Sequence, residues 1–223
     1  MKTNKKKRLT IIGIFVLVFL ISVSSLFFPR ALSEKQISAL REDYPVIAGY
    51  PSHLEFKEPD ITEIYNLSDV ILLVKVIEEL PDYSVDLIEN SNSPEGKMAE
   101  KQNGKGIVSK VVYKQYKVSI IDILQKNNTE DITLAEEKEI DIFYSSEFLD
   151  YMPSLKAGMR IIIPVLKGTE LHEGKYSITK YGLYYTTEDD FILSAFEEEN
   201  SFTFTGKSID YFKDYLKQNY SIN

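Results

Sequence analysis

Hydrophobic and polar positions follow different rhythms in different parts of this chain. Leu9 to Phe28 (LTIIGIFVLVFLISVSSLFF) is uncharged throughout and has no polar face. Val70 to Ile77 (VILLVKVI) is the next most apolar stretch. It is too short to cross a bilayer as a helix, and its β-branched residues predict a strand buried on both faces. From Val108 to Leu124 the apolar residues keep to one face at Val112, Tyr116, Val118 and Ile120, then change phase to Ile121 and Ile123. A one-residue shift predicts a β-bulge, and bulges let a long strand bend.

Shorter strands are predicted over Ile132–Leu134, Ile140–Tyr144, Met159–Val165, Tyr176–Thr179, Leu183–Thr186 and Phe191–Phe196. Turn signals separate most of them: Gly158, Lys167-Gly168, Glu173-Gly174 and Glu188-Asp189-Asp190. Short strands at this spacing, with one bent long strand among them, predict a small barrel or sandwich. Helical periodicity flanks them. Ser33 to Gln36 reads as a capping box ahead of Ile37, Leu40 and Tyr44, with Pro45 ending the helix. Residues 45–59 carry Pro45, Gly49, Pro51 and Pro59 and read as an irregular connector. Asp60 is placed to cap a short helix reaching Leu67. Ser208 caps a terminal helix with Ile209, Phe212 and Leu216 on one face and Tyr211 and Tyr215 beside it. That face is expected to pack on the barrel. Residues 81–107 hold Pro81, Pro94, Gly96, Gly104, Gly106 and the run Glu89 to Ser93, and read as one long solvated loop.

The expected organisation is a basic flank and apolar segment over 1–30, a helical connector over 31–67, a β-barrel-like domain over 68–206 and a C-terminal helix over 207–223. The expected class is mainly β, a β-rich α+β fold, with a transmembrane helix preceding a small closed or partly open barrel and its flanking helices.

Charge sharpens the reading of the N-terminal segment. Met1 to Arg8 holds Lys2, Lys5, Lys6, Lys7 and Arg8 with no acidic residue. A membrane helix needs about 20 apolar residues, and a basic flank stays on the cytoplasmic side. Leu9 to Phe28 is therefore expected to be a single-pass anchor, leaving the C-terminal domain outside the cytoplasm. Cleavage near Ser22-Val23-Ser24 and secretion is the alternative, but it would leave Leu26-Phe27-Phe28 as an exposed apolar terminus. Residues 1–30 contain six of the 26 Lys and Arg and none of the 34 Asp and Glu. The remainder carries 20 basic against 34 acidic residues, a net of −14. Such a surface repels phosphate backbones, so no nucleic-acid partner is expected. The absence of cysteine excludes disulfides, thiolate catalysis, cysteine-ligated metals and lipid attachment at a cysteine. It also favours a bacterial envelope protein over a disulfide-dependent eukaryotic secreted domain.

Ser68 to Val76 (SDVILLVKV) resembles the opening strand of poorly characterised exported and membrane-anchored proteins of Gram-positive bacteria. Tyr116 to Leu124, Lys156 to Ile163 and Gly174 to Ile178 stand where those proteins place their next strands. Val74 replaces a usual glycine, and Leu124-Gln125-Lys126-Asn127 replaces the usual turn. The resemblance covers about residues 68–186 and implies a small OB-like or netrin-like barrel, without catalytic residues to carry over.

Candidate chemistry is sparse. His53 and His172 are the only two histidines and lie far apart in the chain. His172, between Glu170 and Glu173, reads as part of a solvated turn. No zinc-binding His-Glu-x-x-His, nucleophile elbow or phosphate-cradling glycine loop occurs. Ser109-Lys110 and Ser154-x-Lys156 satisfy the bare requirement of a Ser-Lys hydrolase, a pairing common by coincidence. Glu188-Asp189-Asp190 and Glu197-Glu198-Glu199 read as solvated charge rather than paired catalytic carboxylates. No catalytic residue, cofactor or metal is expected. Among the 15 tyrosines, Tyr181, Tyr184 and Tyr185 cluster closely enough to form a contact surface, since aromatic faces stack on sugars. The expected function is that of a membrane-anchored, non-catalytic binding domain. Its partners are the bilayer, through Leu9 to Phe28, and an envelope protein or glycan. An envelope hydrolase and a structural subunit of a membrane complex are the alternatives.

Overall fold

The computed structural model describes residues 31–47, 61–86, 110–127, 137–179, 181–196 and 203–220, together with isolated positions between 93 and 101. Leu9 to Phe28, His53, Asp60, Ser109, Ile132–Leu134 and Glu197 to Glu199 lie outside the described residues. No helix among the described residues is long and apolar enough to cross a membrane.

The described chain is mainly β. Two short helices, α1 (Glu34–Leu40) and α2 (Ile61–Leu67), lead into β1 (Val70–Asp86), β2 (Lys110–Lys126), β3 (Glu139–Ser145), β4 (Arg160–Lys167), β5 (Lys175–Ile178), β6 (Tyr184–Thr186) and β7 (Ile192–Ser194). Helix α3 (Ile209–Tyr220) follows. The strands form one sheet in the order β1-β2-β3-β5-β4-β6-β7, and β1 also pairs with β4. The pairings β1-β2-β3-β5-β4 therefore return to β1. Every pair in this circuit is antiparallel except β3–β5, which runs parallel from Asp141↔Lys175 to Phe143↔Ser177. The other edge of β4 is shared. β5 takes Val165 to Lys167 and β6 takes Arg160 to Ile162.

Closing so few strands requires sharp bending, and the sequence supplies it through bulges. Opposite β1, the β2 residues Ile121 and Leu124 have no register partner, so β2 carries two extra residues within a few positions. The first lies where the apolar phase changes. Ile121 is exposed, while Ile120 before it and Ile123 after it both pack on the same core. Further along, Ile77 is passed over on β1, and Pro81-Asp82 sits opposite Lys114. Proline cannot donate to a ladder. Instead the Pro81 carbonyl accepts a hydrogen bond from Gln115 Nε2 at 2.5 Å. β1 thus runs on to Asp86, and within residues 81–86, expected as loop, Tyr83 to Asp86 pair with Tyr113 to Lys110.

Two cores lie on opposite faces of β1 and β4. Val70, Leu72, Val74 and Val76 point into the first with Val118, Ile142, Ile161, Ile163 and Val165. Ile37, Leu40 and Tyr44 from the α1 region pack against its margin. Ile71, Leu73 and Ile162 point into the second, where Tyr65 and the α3 residues Ile209, Phe212, Leu216 and Tyr220 cover them. This arrangement is why VILLV lacks alternation: both faces of that segment are covered. Ser208 Oγ accepts from the Tyr211 N–H at 3.2 Å and caps α3. At α1, Gln36 Oε1 accepts from the Ser33 N–H at 3.0 Å.

Candidate functional site

Alternation along β6 separates the expected tyrosine patch. Tyr184 enters the second core and Tyr185 the first, and both are fully buried. Tyr184 packs against Phe204 and Phe212, and the Tyr185 hydroxyl donates to the Pro45 carbonyl at 3.2 Å. Neither ring has a face left for a sugar. Tyr181 is half-buried in the turn before β6, so the three do not form one surface.

A different aromatic group forms on the outer face of the strand circuit. In β3, Ile140, Ile142 and Tyr144 point into the first core, which turns Phe143 outward. In β5, Tyr176 and Ile178 point inward and Lys175 outward. In β2, Tyr116 points inward and Gln115, the register partner of Phe143, outward. Tyr83 and Tyr113 are register partners at the outer end of β1 and β2, and their rings stack with centroids 5.2 Å apart. Phe143 meets Tyr113 edge-on at 5.5 Å.

The turn between β4 and β5 folds His172 onto this group. Its ring stacks on Phe143 at 4.6 Å and meets Tyr113 edge-on at 4.7 Å. Its Nδ1 shares a hydrogen bond of 2.8 Å with the Tyr83 hydroxyl, linking residues 89 positions apart. The turn is closed by the Gly168 N–H donating to the Lys175 carbonyl at 2.7 Å. Only glycine fits at 168, because a Cβ there would lie 2.2 Å from the His172 carbonyl oxygen. Lys175 Nζ stands 3.6 Å from the centre of the Tyr83 ring and donates to Gln115 Oε1 at 2.7 Å. The cation is thereby placed against the negative face of an aromatic ring.

Burial, reinforced by Tyr113, pushes the Tyr83 phenol up to about 12, so it stays a neutral hydroxyl. Burial, followed by the charge of Lys175, holds His172 below the usual imidazole range. Tyr83, Tyr113, His172 and Lys175 are all partly exposed, whereas Phe143 beneath them is buried. The arrangement presents ring faces, a hydroxyl, an imidazole and an ammonium at one surface. Such groups can stack on a bound molecule and hydrogen-bond to it.

The other candidates stay apart. Ser154 and Lys156 are both exposed. Asp190 adopts a left-handed backbone at φ 63°, and its carboxylate is held by Arg160 at 2.7 Å. Beside it a cleft of about 260 Å³ is lined by Leu73, Ile121, Asp122, Ile209, Asp210 and Lys213, among others, and Lys213 is paired with Asp122 at 2.7 Å. A second, apolar groove of about 240 Å³ lies between Ile64, Leu67, Pro164, Leu166 and Ile178. No group of three or more histidine or carboxylate side chains among the described residues is arranged to hold a metal ion.

Sequence reading missed the aromatic face for two reasons. Tyr83 falls in a stretch whose proline and acidic residues read as loop, and His172 sits between two glutamates in what reads as a solvated turn. The cross-strand register joins them, and no local motif announces it. No protein-family model matches the chain, and no curated protein matches it.

Proposed function

We propose that this chain is a membrane-anchored extracytoplasmic domain that acts by binding, with the Tyr83–Tyr113–Phe143–His172–Lys175 face as its contact surface. The observation that carries this reading is the placement of the aromatic group. It is gathered from four strands and a turn onto an outer face, away from both cores. Half-exposed rings with a polar rim suit a carbohydrate or a protein surface of the cell envelope. The net charge of −14 outside residues 1–30 argues against a nucleic acid.

The circuit of pairings returning to β1, with its single parallel pair, supports an OB-like five-stranded barrel as the scaffold, extended by β6 and β7. The uncharged Leu9 to Phe28 run and its basic flank support tethering at the membrane, with the domain outside.

The test is in-cell photo-crosslinking of the full-length chain, with a photoreactive residue at position 113 and, for comparison, at exposed Leu67 and Tyr211. A discrete adduct from position 113 alone, lost when Tyr83 is changed to Ser, is the expected result. Equal labelling from all three positions would contradict the assignment of the face. So would turnover of an envelope substrate that a Tyr83→Ser change leaves untouched.

A further inference from the structure

We infer that His172 is a proton-operated clasp: its protonation releases the β4–β5 turn from the aromatic face and so gates that face by pH. The inference rests on the reading of that face as the contact surface. Among the described residues, the turn meets the aromatic face through one side chain. Gly168 donates to the Lys175 carbonyl, and His172 is the turn's ring in the aromatic group. Leu171 beside it is exposed and gives the turn no second apolar anchor.

The groups facing His172 make a cation unwelcome there. Against the ring stand the Tyr83 hydroxyl from β1, Tyr113 from β2, the Phe143 ring from β3 and Lys175 from β5, while Asp82 and Lys114 lie on the Tyr116 side of the strands and Asp141 farther along β3. Glu170 and Glu173 lie in the turn itself. Lys114 is engaged by Glu79 and Asp82, and Asp141 by Lys117. Those carboxylates are thus already paired, and Lys175 is the nearby charge that acts on the imidazole. Protonation would make both ring nitrogens donors, leaving the Tyr83 hydroxyl able only to accept from Nδ1. It would also place a second cation beside Lys175 in a partly dry site. Attraction of the imidazolium to the rings of Phe143 and Tyr113 opposes release, while burial and the charge of Lys175 act against the cation.

The sign follows from linkage. His172 titrates lower when clasped than when free, so the released state binds more protons. The clasp is fully in place above about pH 6.5 and weakens as pH falls through the folded value. His172 is the only histidine among the described residues, and histidine is the side chain suited to this pH range.

The test uses the isotope-labelled full-length chain in lipid nanodiscs, without ligand. The His172 ring signal, identified by its loss in His172→Phe, is followed by NMR with exchange protection of the Gly168 amide. Protection should fall as His172 titrates, by about tenfold for each unit that its folded value lies below 6.5. His172→Phe keeps the stacked ring and should hold its protection across the range. Lys175→Met should raise the His172 midpoint toward the free value and shrink the loss of protection in proportion. Protection that persists through the titration, or that falls equally in His172→Phe, would overturn the clasp. Because no ligand enters the test, a failed clasp leaves the contact-face reading to the crosslinking result, and the reverse also holds.

Discussion

The two halves of β1 belong to the same strand and live in different surroundings. Val70 to Val74 is paired on both edges, to β2 and to β4, and buried on both faces. Glu78 to Asp86 pairs only with β2 among the described residues, and in that half only Val85 is buried. The first half is scaffold, where each side chain contributes by filling a core. The second half is held by discrete contacts: Tyr83 on Tyr113 and His172, Pro81 on Gln115, and surface ion pairs. Packing of the first kind opens only with the whole domain, while contacts of the second kind let a region open alone.

Substitutions should separate the two regimes. The largest effects belong to the doubly covered half. Leu72→Ala is expected to cost about 2–5 kcal/mol and Phe212→Ala about 3–5 kcal/mol, read by urea unfolding. Equal mild effects would mean that the two cores are not closely packed. Next comes Gly182→Ala. Gly182 has φ +73°, and an added Cβ would lie 2.9 Å from the buried Tyr65 ring. A loss of about 1–3 kcal/mol is expected, seen as a lower unfolding midpoint without a changed slope. On the clasped half, Tyr113→Ala removes a half-exposed stacked ring. It should cost about 0.5–1.5 kcal/mol beyond its small area loss, while abolishing any adduct that depends on the face. The smallest effect belongs to the exposed Lys110–Asp86 pair at 3.4 Å, whose removal should change stability by less than about 1 kcal/mol and vanish in high salt.

Much of this contrast is readable in the sequence, and the rest has a physical reason for being hidden. VILLV announces a doubly buried strand because continuous β-branched burial has no other cheap explanation at that length. The phase change at Ile120-Ile121 announces a bulge because a strand has a strict period of two. Ser208, Ile209, Phe212 and Leu216 announce a capped amphipathic helix. Tyr184 and Tyr185 mislead because alternation reports that two residues face opposite ways, and says nothing about whether both faces are covered. Leu183 to Thr186 sits between the first core and α3, so both tyrosines are buried. Tyr83 and His172 mislead for the complementary reason. Their neighbours Pro81, Asp82, Glu170 and Glu173 are polar or turn-forming, and the apolar contacts that organise them come from distant strands.

The most direct measurement is residue-resolved native-state hydrogen exchange on the full-length chain across β1 and its partners. The account predicts that amides of Val70 to Val74 and Ile161 to Ile163 exchange only through global unfolding. Those of Glu78 to Asp86 and of the Gly168–Lys175 turn should exchange through a separate local opening of lower free energy. A single free energy shared by both halves of β1 would contradict the division into scaffold and releasable contact face.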